Sequence, residues 1–395
     1  MTCLRLGIRP NLVQLSLLAG VTGLVGAMVG LERSILPSLA NDEFGIASRS
    51  AVLAFVVSFG LAKALANLAA GVAASRGGRR DLLVLGWLLA LPVPLAVALA
   101  PNWWVIVAAN LLLGASQGFA WSMTVLMKVD LAGPRRRGLV LGLNESAGYV
   151  GVALAAAASG AMAGSVAPRL VVAVGGAAVV TAGLALAVFA VRETATFAAA
   201  EHREGARDRR LDGRLALYAQ AGFVNNVNDA LVWGLAPLYL AAHGAASAEI
   251  GIVAGAYPAV WGAGQLATGL LSDVIGRRPL VVSGMLVQGG ALALLAASGG
   301  AFAPALAAAV LLGVGTALAY PTLLAAVGDS AAPRQRPVAL GRYRFWRDLG
   351  LVGGAVVVGV GADLAGAVTT IALVAALTTA SGLAFVVDGR RPALR

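Results

Sequence analysis

Asp229 closes the run Asn225-Asn226-Val227-Asn228-Asp229, and apolar residues flank that run on both sides. A carboxylate in such surroundings suits one chemistry above others: taking up and releasing a proton, because its charged form is costly away from water. Asn225 lies four residues before Asp229, on the same face of a helix. Amide side chains both donate and accept hydrogen bonds, so Asn225, Asn226 and Asn228 are candidates to hold a solute or the neutral acid. Glu32 and Glu145 are two further carboxylates inside apolar runs, and Arg33 and Lys63 are cations in the same setting. Arg342, Arg344, Arg347 and Asp348 open another such run; most of that cluster reads as interfacial, with Glu145 and Arg344 a candidate ion pair. Gln117 with Trp121, and Thr316 with Tyr320, are i, i+4 pairs that join a polar group to a flat ring, a combination suited to an organic solute.

Other chemistries lack their residues. Cys3 is the single cysteine and His202 and His243 the two histidines, so neither a metal centre nor an intrachain disulfide is expected. No grouping of nucleophile, base and carboxylate points to an enzyme. No Walker-type glycine loop occurs that would cradle a nucleotide. We expect no catalytic residue, no metal and no cofactor.

The elements that must position these side chains follow from composition. The chain has 395 residues, 59% hydrophobic and 12% charged, with a mean hydropathy of +0.86. Soluble domains hold about 25% charged residues; these figures describe an all-α membrane protein. Crossing the hydrocarbon core takes about 20 apolar residues, and apolar runs between charge clusters yield twelve spans. They lie at 12–38, 48–73, 82–100, 103–129, 139–164 and 169–191, then 214–240, 247–271, 280–299, 303–328, 338–361 and 367–387. The run from Leu12 to Leu36 reads as the first span rather than a cleaved signal. Of 29 lysines and arginines, 21 fall in one alternating set of loops. That bias assigns those loops, and both termini, to the cytosol. It also accounts for the net charge of +11 without a nucleic-acid partner. Residues 192–213 form a polar linker, read as solvated chain, between an N-terminal half (1–191) and a C-terminal half (214–395).

The two halves repeat. At an offset of 198, Gly71, Gly78, Arg79, Arg80 and Gly86 fall on Gly269, Gly276, Arg277, Arg278 and Gly284; at 199, Gly114, Asp130, Pro134, Arg135, Gly142 and Gly151 fall on Gly313, Asp329, Pro333, Arg334, Gly341 and Gly350. Six-span parallel repeats are a transporter architecture. The segments Gly71-Val-Ala-Ala-Ser-Arg-Gly-Gly-Arg-Arg80 and Gly269-Leu-Leu-Ser-Asp-Val-Ile-Gly-Arg-Arg278 resemble the G-x-L-x-D-R-x-G-R-R loop of the major facilitator superfamily, and the resemblance extends along essentially the whole chain.

The resemblance implies a secondary transporter of the inner membrane that moves a small organic solute by alternating access. It implies coupling to a proton through Asp229, Glu32 or Glu145, with export slightly favoured. Alternatives are a uniporter or proton symporter taking up an anionic solute, and a non-transporting receptor or assembly factor on the same fold. Expected partners are the solute, a proton and membrane lipid, for a monomer. Spans 1, 4, 7 and 10 would line the cavity, which places Asp229, Asn225, Asn226, Asn228, Arg33, Gln117, Trp121, Thr316 and Tyr320 near substrate, with Lys63 from span 2. The gating motif would comprise Gly71, Arg76, Gly78, Arg79, Arg80 and Asp130 in one copy and Gly269, Asp273, Gly276, Arg277 and Arg278 in the other. Asp273 matches the motif acid; Ser75 replaces it in the first copy, where Asp130 or Asp81 could substitute. Gly77, Gly78 and Gly276 are expected to supply backbone angles that other residues resist. Two features of proton-coupled drug exporters are missing: Gly114 stands where their fourth span has arginine, and the stretch Gly148-Tyr-Val-Gly151 lacks their proline.

Overall fold

The computed structural model describes residues 6–46, 49–162, 165–198 and 214–388, and all regular structure among them is helical. Ten helices among the described residues are long and apolar enough to cross a membrane. The other two expected spans are helical but less apolar. Span 7 runs as Arg214–Ala230, a π-turn at Leu231–Leu235 and Ala236–Ala242; its Asn225 to Asp229 run lowers its hydropathy. Span 8, Ser247–Ile275, carries Tyr257, Pro258, Trp261 and Gln265 along its length. Span 3 is interrupted at Leu91 and Pro92, giving Arg79–Ala90 and Val93–Ala98, since proline cannot donate the next helical hydrogen bond. Span 1 continues through Pro37 to Asp42. The remaining spans are Arg49–Ala74, Trp103–Ala132, Arg137–Ala161, Pro168–Phe189, Arg277–Ala297, Phe302–Ser330, Arg336–Ala365 and Ala367–Asp388.

The described chain divides into two compact units. Unit 1 holds residues 1–136, 143–209 and 331–345, and unit 2 holds 137–142, 210–330 and 346–395. The first turns of spans 5 and 11 are thus exchanged relative to the sequence halves.

Within each unit, helices meet along small residues, the means by which apolar helices approach closely in lipid. In unit 1, a side chain on Gly26, Gly30 or Gly151 would strike the backbone of the facing span. In unit 2, Gly350 meets the backbone of Phe223 and Gly354 that of Val227. The seam between spans 1 and 5 therefore recurs between spans 7 and 11, as the repeat requires.

Candidate functional site

Three layers of polar side chains interrupt the apolar interior. The first is the pair of motif loops. In unit 1, Arg79 Nε donates to Asp130 Oδ2 at 3.1 Å and its Nη1 to Ala74 O at 2.8 Å, and Arg336 lies close enough for its charge to act on Asp130. In unit 2, Arg277 Nε donates to Asp329 Oδ2 at 2.9 Å, and Arg137 Nη1 to Asp329 Oδ1 at 2.7 Å. These are the same contacts one repeat apart. Arg80 donates to the carbonyls of Ala187 and Val188, and Arg278 to those of Phe385 and Val386. Both arginines thus satisfy carbonyls at a helix C-terminus, where cations are favoured. Gly71 lies against Gly341 in unit 1 and Gly269 against Gly142 in unit 2; a Cβ on Gly71 would stand 2.9 Å from the Gly341 Cα. Arg76 is exposed.

The copies differ at the motif acid. Asp273 accepts from Gly138 N and Leu139 N, both at 2.9 Å, and pairs with Arg277 at 2.8 Å. Its carboxylate therefore sits on the N-terminus of span 5, a favourable place for negative charge. Ser75 is exposed and donates to Val72 O. Asp130 does not take over the missing role, because it is committed to Arg79 and Thr194. The residue equivalent to Gly138 is Pro337, which has no N–H to offer.

Two expectations about this region are corrected. Gly276 does adopt φ +96, but Gly78 is extended at φ −70, and Gly77 is not among the positive-φ glycines. A Cβ on Gly78 would lie 2.6 Å from Glu193 Oε2, so a side chain there would displace the Glu193 carboxylate. Nor do residues 192–198 behave as bare solvated chain. Glu193 Oε2 accepts from Arg80 N and Oε1 from Thr194 N and Ala195 N, while buried Thr194 Oγ1 donates to Asp130. Partial burial raises the Glu193 acid, but these backbone N–H bonds outweigh it and leave the group below its ordinary value. Residues 199–213 of the linker, with His202, lie outside the described residues.

The second layer lies inside unit 1. Glu145, fully buried, accepts from Trp121 Nε1 at 2.9 Å and Asn144 Nδ2 at 3.0 Å, and Arg344 Nη1 stands 3.7 Å away. Arg344 also donates to Asn67 Oδ1, as does Ser122. Lys128 Nζ, also buried, donates to Leu18 O, Thr22 Oγ1 and Asn144 Oδ1. Lys63 Nζ is 5.3 Å from the Trp121 ring centroid and 5.8 Å from that of Phe59, and the Arg33 guanidinium is 5.9 Å from the same Phe59 ring. Gln117 Nε2 donates to Val25 O. Glu32 is 1% exposed and makes no ion pair among the described residues. It shares a small cavity with Arg33, Phe55, Phe59 and Asn110.

The third layer lies inside unit 2. Tyr257 donates its hydroxyl proton to Asp229 Oδ1, and Arg347 Nη2 is 3.7 Å from Asp229 Oδ2. The Arg347 guanidinium lies 3.9 Å over the Tyr320 ring and also bonds Asp348. Tyr257 stacks on Trp261 at 5.7 Å, Trp261 meets Tyr320 edge-on at 6.0 Å, and Thr316 reaches the Tyr257 hydroxyl. Asn226 donates to Arg347 O; Asn228 donates to Gln288 and accepts from Thr378. Asn225 is fully buried.

The structure thus gathers Asp229, Thr316 and Tyr320 into one cluster, and Glu145 with Trp121 into another. It commits Asn226 and Asn228 to helix–helix bonds rather than to an open face. Arg344 and Arg347 are 2% and 4% exposed, so interfacial anchoring explains Arg342 alone. Sequence reading missed Lys128, Tyr257, Glu193, Asp329, Arg137 and Arg336. For Asp329 and Arg336 the signal was present, as repeat mates of Asp130 and Arg137; Tyr257 carries none, being one aromatic in an apolar run.

The sequence matches the model of the Major Facilitator Superfamily over residues 16–217 and 218–395. Among curated proteins none matches the sequence. Similar solved structures include the human organic anion transporter MFSD10 (TETRAN), at 16% identity and TM-score 0.80 over 95% of this chain and 99% of that one. The proton:xylose symporter XylE bound to 6-bromo-6-deoxy-D-glucose is similar at 14% identity and TM-score 0.76, over 94% and 95%. FucP in its outward conformation is similar at 14% identity and TM-score 0.78, over 96% and 99%.

Proposed function

The chain belongs to the major facilitator superfamily, and from that premise we propose a proton-coupled secondary transporter that exports a small organic solute by alternating access. We place it in the inner membrane with both termini and the 192–213 linker in the cytosol, as the loop charges support.

One observation carries the coupling. Of the three carboxylates considered, Asp229 and Glu145 each face an arginine at 3.7 Å, whereas Glu32 makes no ion pair among the described residues. A sealed carboxylate without a cation is costly when charged; binding a proton removes that cost, and opening to water removes it differently. A proton biases a conformational equilibrium only through such unequal binding to the two states. Glu32 is therefore the proposed proton carrier, in place of Asp229, which accepts from Tyr257 and faces Arg347. The charged group sharing the Glu32 cavity is Arg33; Asn110, from span 4, is its polar neighbour.

The test uses purified protein in liposomes holding a pH-sensitive dye, with organic anions, cations and sugars supplied in turn. Solute-driven proton movement is expected with wild type. Glu32→Gln should abolish it and leave solute exchange in place, while Glu145→Gln and Asp229→Asn lower exchange itself. A Glu32→Gln protein with an unchanged pH profile overturns the assignment. Solute accumulating with the protons, rather than against them, would make the protein a symporter, as XylE is.

A further inference from the structure

We infer that unit 1 carries a binding site for one anionic phospholipid, in the open groove between the start of span 1 and the end of span 6. Arg80 and Arg192 take its phosphate, and Val13, Leu17 and Phe189 take its acyl chains; the groove measures about 700 Å³. The inference goes beyond the transporter reading and holds whatever solute is moved. Three observations lead there.

The first is where the groove sits. Span 1 begins at Leu12 and span 6 ends at Phe189. The two ends are tied: Gln14 Nε2 donates to Ala190 O, and Gln14 Oε1 accepts from Arg192 N, both at 3.1 Å. Val13 is 80% exposed and Phe189 86%, so the wall that these helix ends present is apolar. Arg192 follows span 6 and Arg80 lies in the first turn of span 3, which makes the rim cationic. An apolar wall below a cationic rim is what a phospholipid meets between its acyl chains and its headgroup.

The second is an excess of donors. The carbonyls at the end of span 6 are already taken, Ala187 and Val188 by Arg80 and Ala190 by Gln14. The carboxylate in the lining, Glu193, accepts from Arg80 N, Thr194 N and Ala195 N. Arg80 spends Nε and Nη2 on those carbonyls and keeps Nη1. Arg192 is exposed, and its guanidinium makes no ion pair among the described residues. What the groove lacks is an acceptor, and guanidinium groups match phosphate oxygens in both charge and geometry.

The third is sign. Arg80 and Arg192 against Glu193 leave the lining net positive, and the Glu193 oxygens are occupied by backbone N–H groups. The choline of a zwitterionic headgroup would find no open acceptor among these side chains and would meet like charge. A net negative headgroup has no such cost. A soluble phosphate would reach the same arginines but leave Val13 and Phe189 uncovered, and that exposed apolar wall commits the site to a lipid.

The experiment titrates the purified full chain, in detergent micelles, with dioleoyl phosphatidylglycerol, dioleoyl phosphatidylcholine and inorganic phosphate in turn, and counts bound lipid by native mass spectrometry. One phosphatidylglycerol is expected to bind about tenfold more tightly than phosphatidylcholine. Arg192→Gln should weaken phosphatidylglycerol about fivefold and leave phosphatidylcholine unchanged. Phe189→Ser should weaken both lipids. Arg136→Gln, which removes an exposed arginine outside the groove, should weaken neither. Thermal unfolding midpoints show whether each variant is folded. Equal affinity for the two lipids overturns the proposal, as does unchanged phosphatidylglycerol binding in folded Arg192→Gln protein. An equal loss in Arg136→Gln would reduce the effect to general surface charge and overturns the site. Inorganic phosphate that displaces the lipid gives the groove to a soluble anion. A dimer that disappears in Arg192→Gln, with no phosphatidylglycerol bound, gives it to a second copy; both results overturn the lipid assignment. None of them touches the transporter reading.

Discussion

Asp273→Asn tests the loop motif at the copy that keeps its acid. Each carboxylate oxygen of Asp273 accepts one backbone N–H from the first turn of span 5, and the side chain is 3% exposed beside Arg277. Hydrogen bonds to charged groups contribute about 1.5–3 kcal/mol each. Asparagine keeps one acceptor, turns an amide N–H toward the other donor and removes the charge. One charged bond is lost outright and the second becomes a neutral one, for a total of about 3 kcal/mol. Arg277 retains Asp329, so no orphaned guanidinium adds to the figure. At about 1.4 kcal/mol per tenfold, the equilibrium that frees this turn from the end of span 8 shifts by about two orders of magnitude. Hydrogen–deuterium exchange of the peptide covering residues 137–142, in nanodiscs, reads that shift directly. Exchange about 100-fold faster than wild type, without loss of overall helix content, is expected. Wild-type protection in Asp273→Asn would mean the carboxylate merely marks the topology of the loop.

The first copy should answer more weakly: the positions equivalent to Gly138 and Leu139 are Pro337 and Val338, one N–H donor instead of two, so Ser75→Asp should slow exchange at residues 338–341 by about tenfold, one charge-assisted bond of about 1.5 kcal/mol, and a 100-fold slowing would show that the acid alone makes the latch. Because the Glu193 carboxyl is held below its ordinary value of 4.5, it stabilises the fold above that pH and loses this effect as the pH falls through its native value. The thermal midpoint of wild type should therefore exceed that of Glu193→Gln at pH 6, and the gap should narrow as the pH falls below 4.5; a gap that does not narrow in acid contradicts the bonding described. Gly26→Ala places a methyl group on the Gly148 carbonyl, and overpacking against backbone costs about 1–3 kcal/mol, so its thermal midpoint should drop well below that of Gly20→Ala, where a Cβ meets nothing within 4 Å. Equal midpoints for those two alanine variants would show that the seam between spans 1 and 5 is looser than described.

What was legible in the sequence follows from what repeats. Gly-Arg-Arg and Asp-x-x-x-Pro-Arg recur in order, so the arginine–aspartate pairs at both loops could be anticipated, and the apolar runs located every span. Glu193 was not legible, because its partners are backbone amides of a distant helix end and its neighbours in sequence are ordinary linker residues. Gly78 was misread because a glycine with ordinary extended backbone looks, in sequence, like one kept for its angles. The interior clusters were half legible. A lone acid in an apolar run announces itself, but the cation that balances it comes from another span, and only packing decides which acid receives one.

That decision separates Glu32 from Asp229. Both are carboxylates within apolar spans, and both are almost fully buried, at 1% and 5% exposure. The first residues of span 11 make the difference. Arg344 is delivered to Glu145 inside unit 1 and Arg347 to Asp229 inside unit 2. Protonating Glu145 would take from the buried Arg344 guanidinium the acid it faces, a loss of about 3–5 kcal/mol; protonating Asp229 would cost less, because Arg347 keeps Asp348 at 3.1 Å. Glu32 has Asn110 for a polar neighbour and no arginine to strand, so its protonation disturbs no pair. Removing the arginine should therefore move the role: in Arg347→Gln protein, Asp229 and Asp348 both lose that guanidinium, and solute-driven proton flux should acquire a component that Glu32→Gln no longer abolishes. If Glu32→Gln silences proton flux as completely in the Arg347→Gln background as in wild type, pairing with arginine is not what selects the coupling carboxylate.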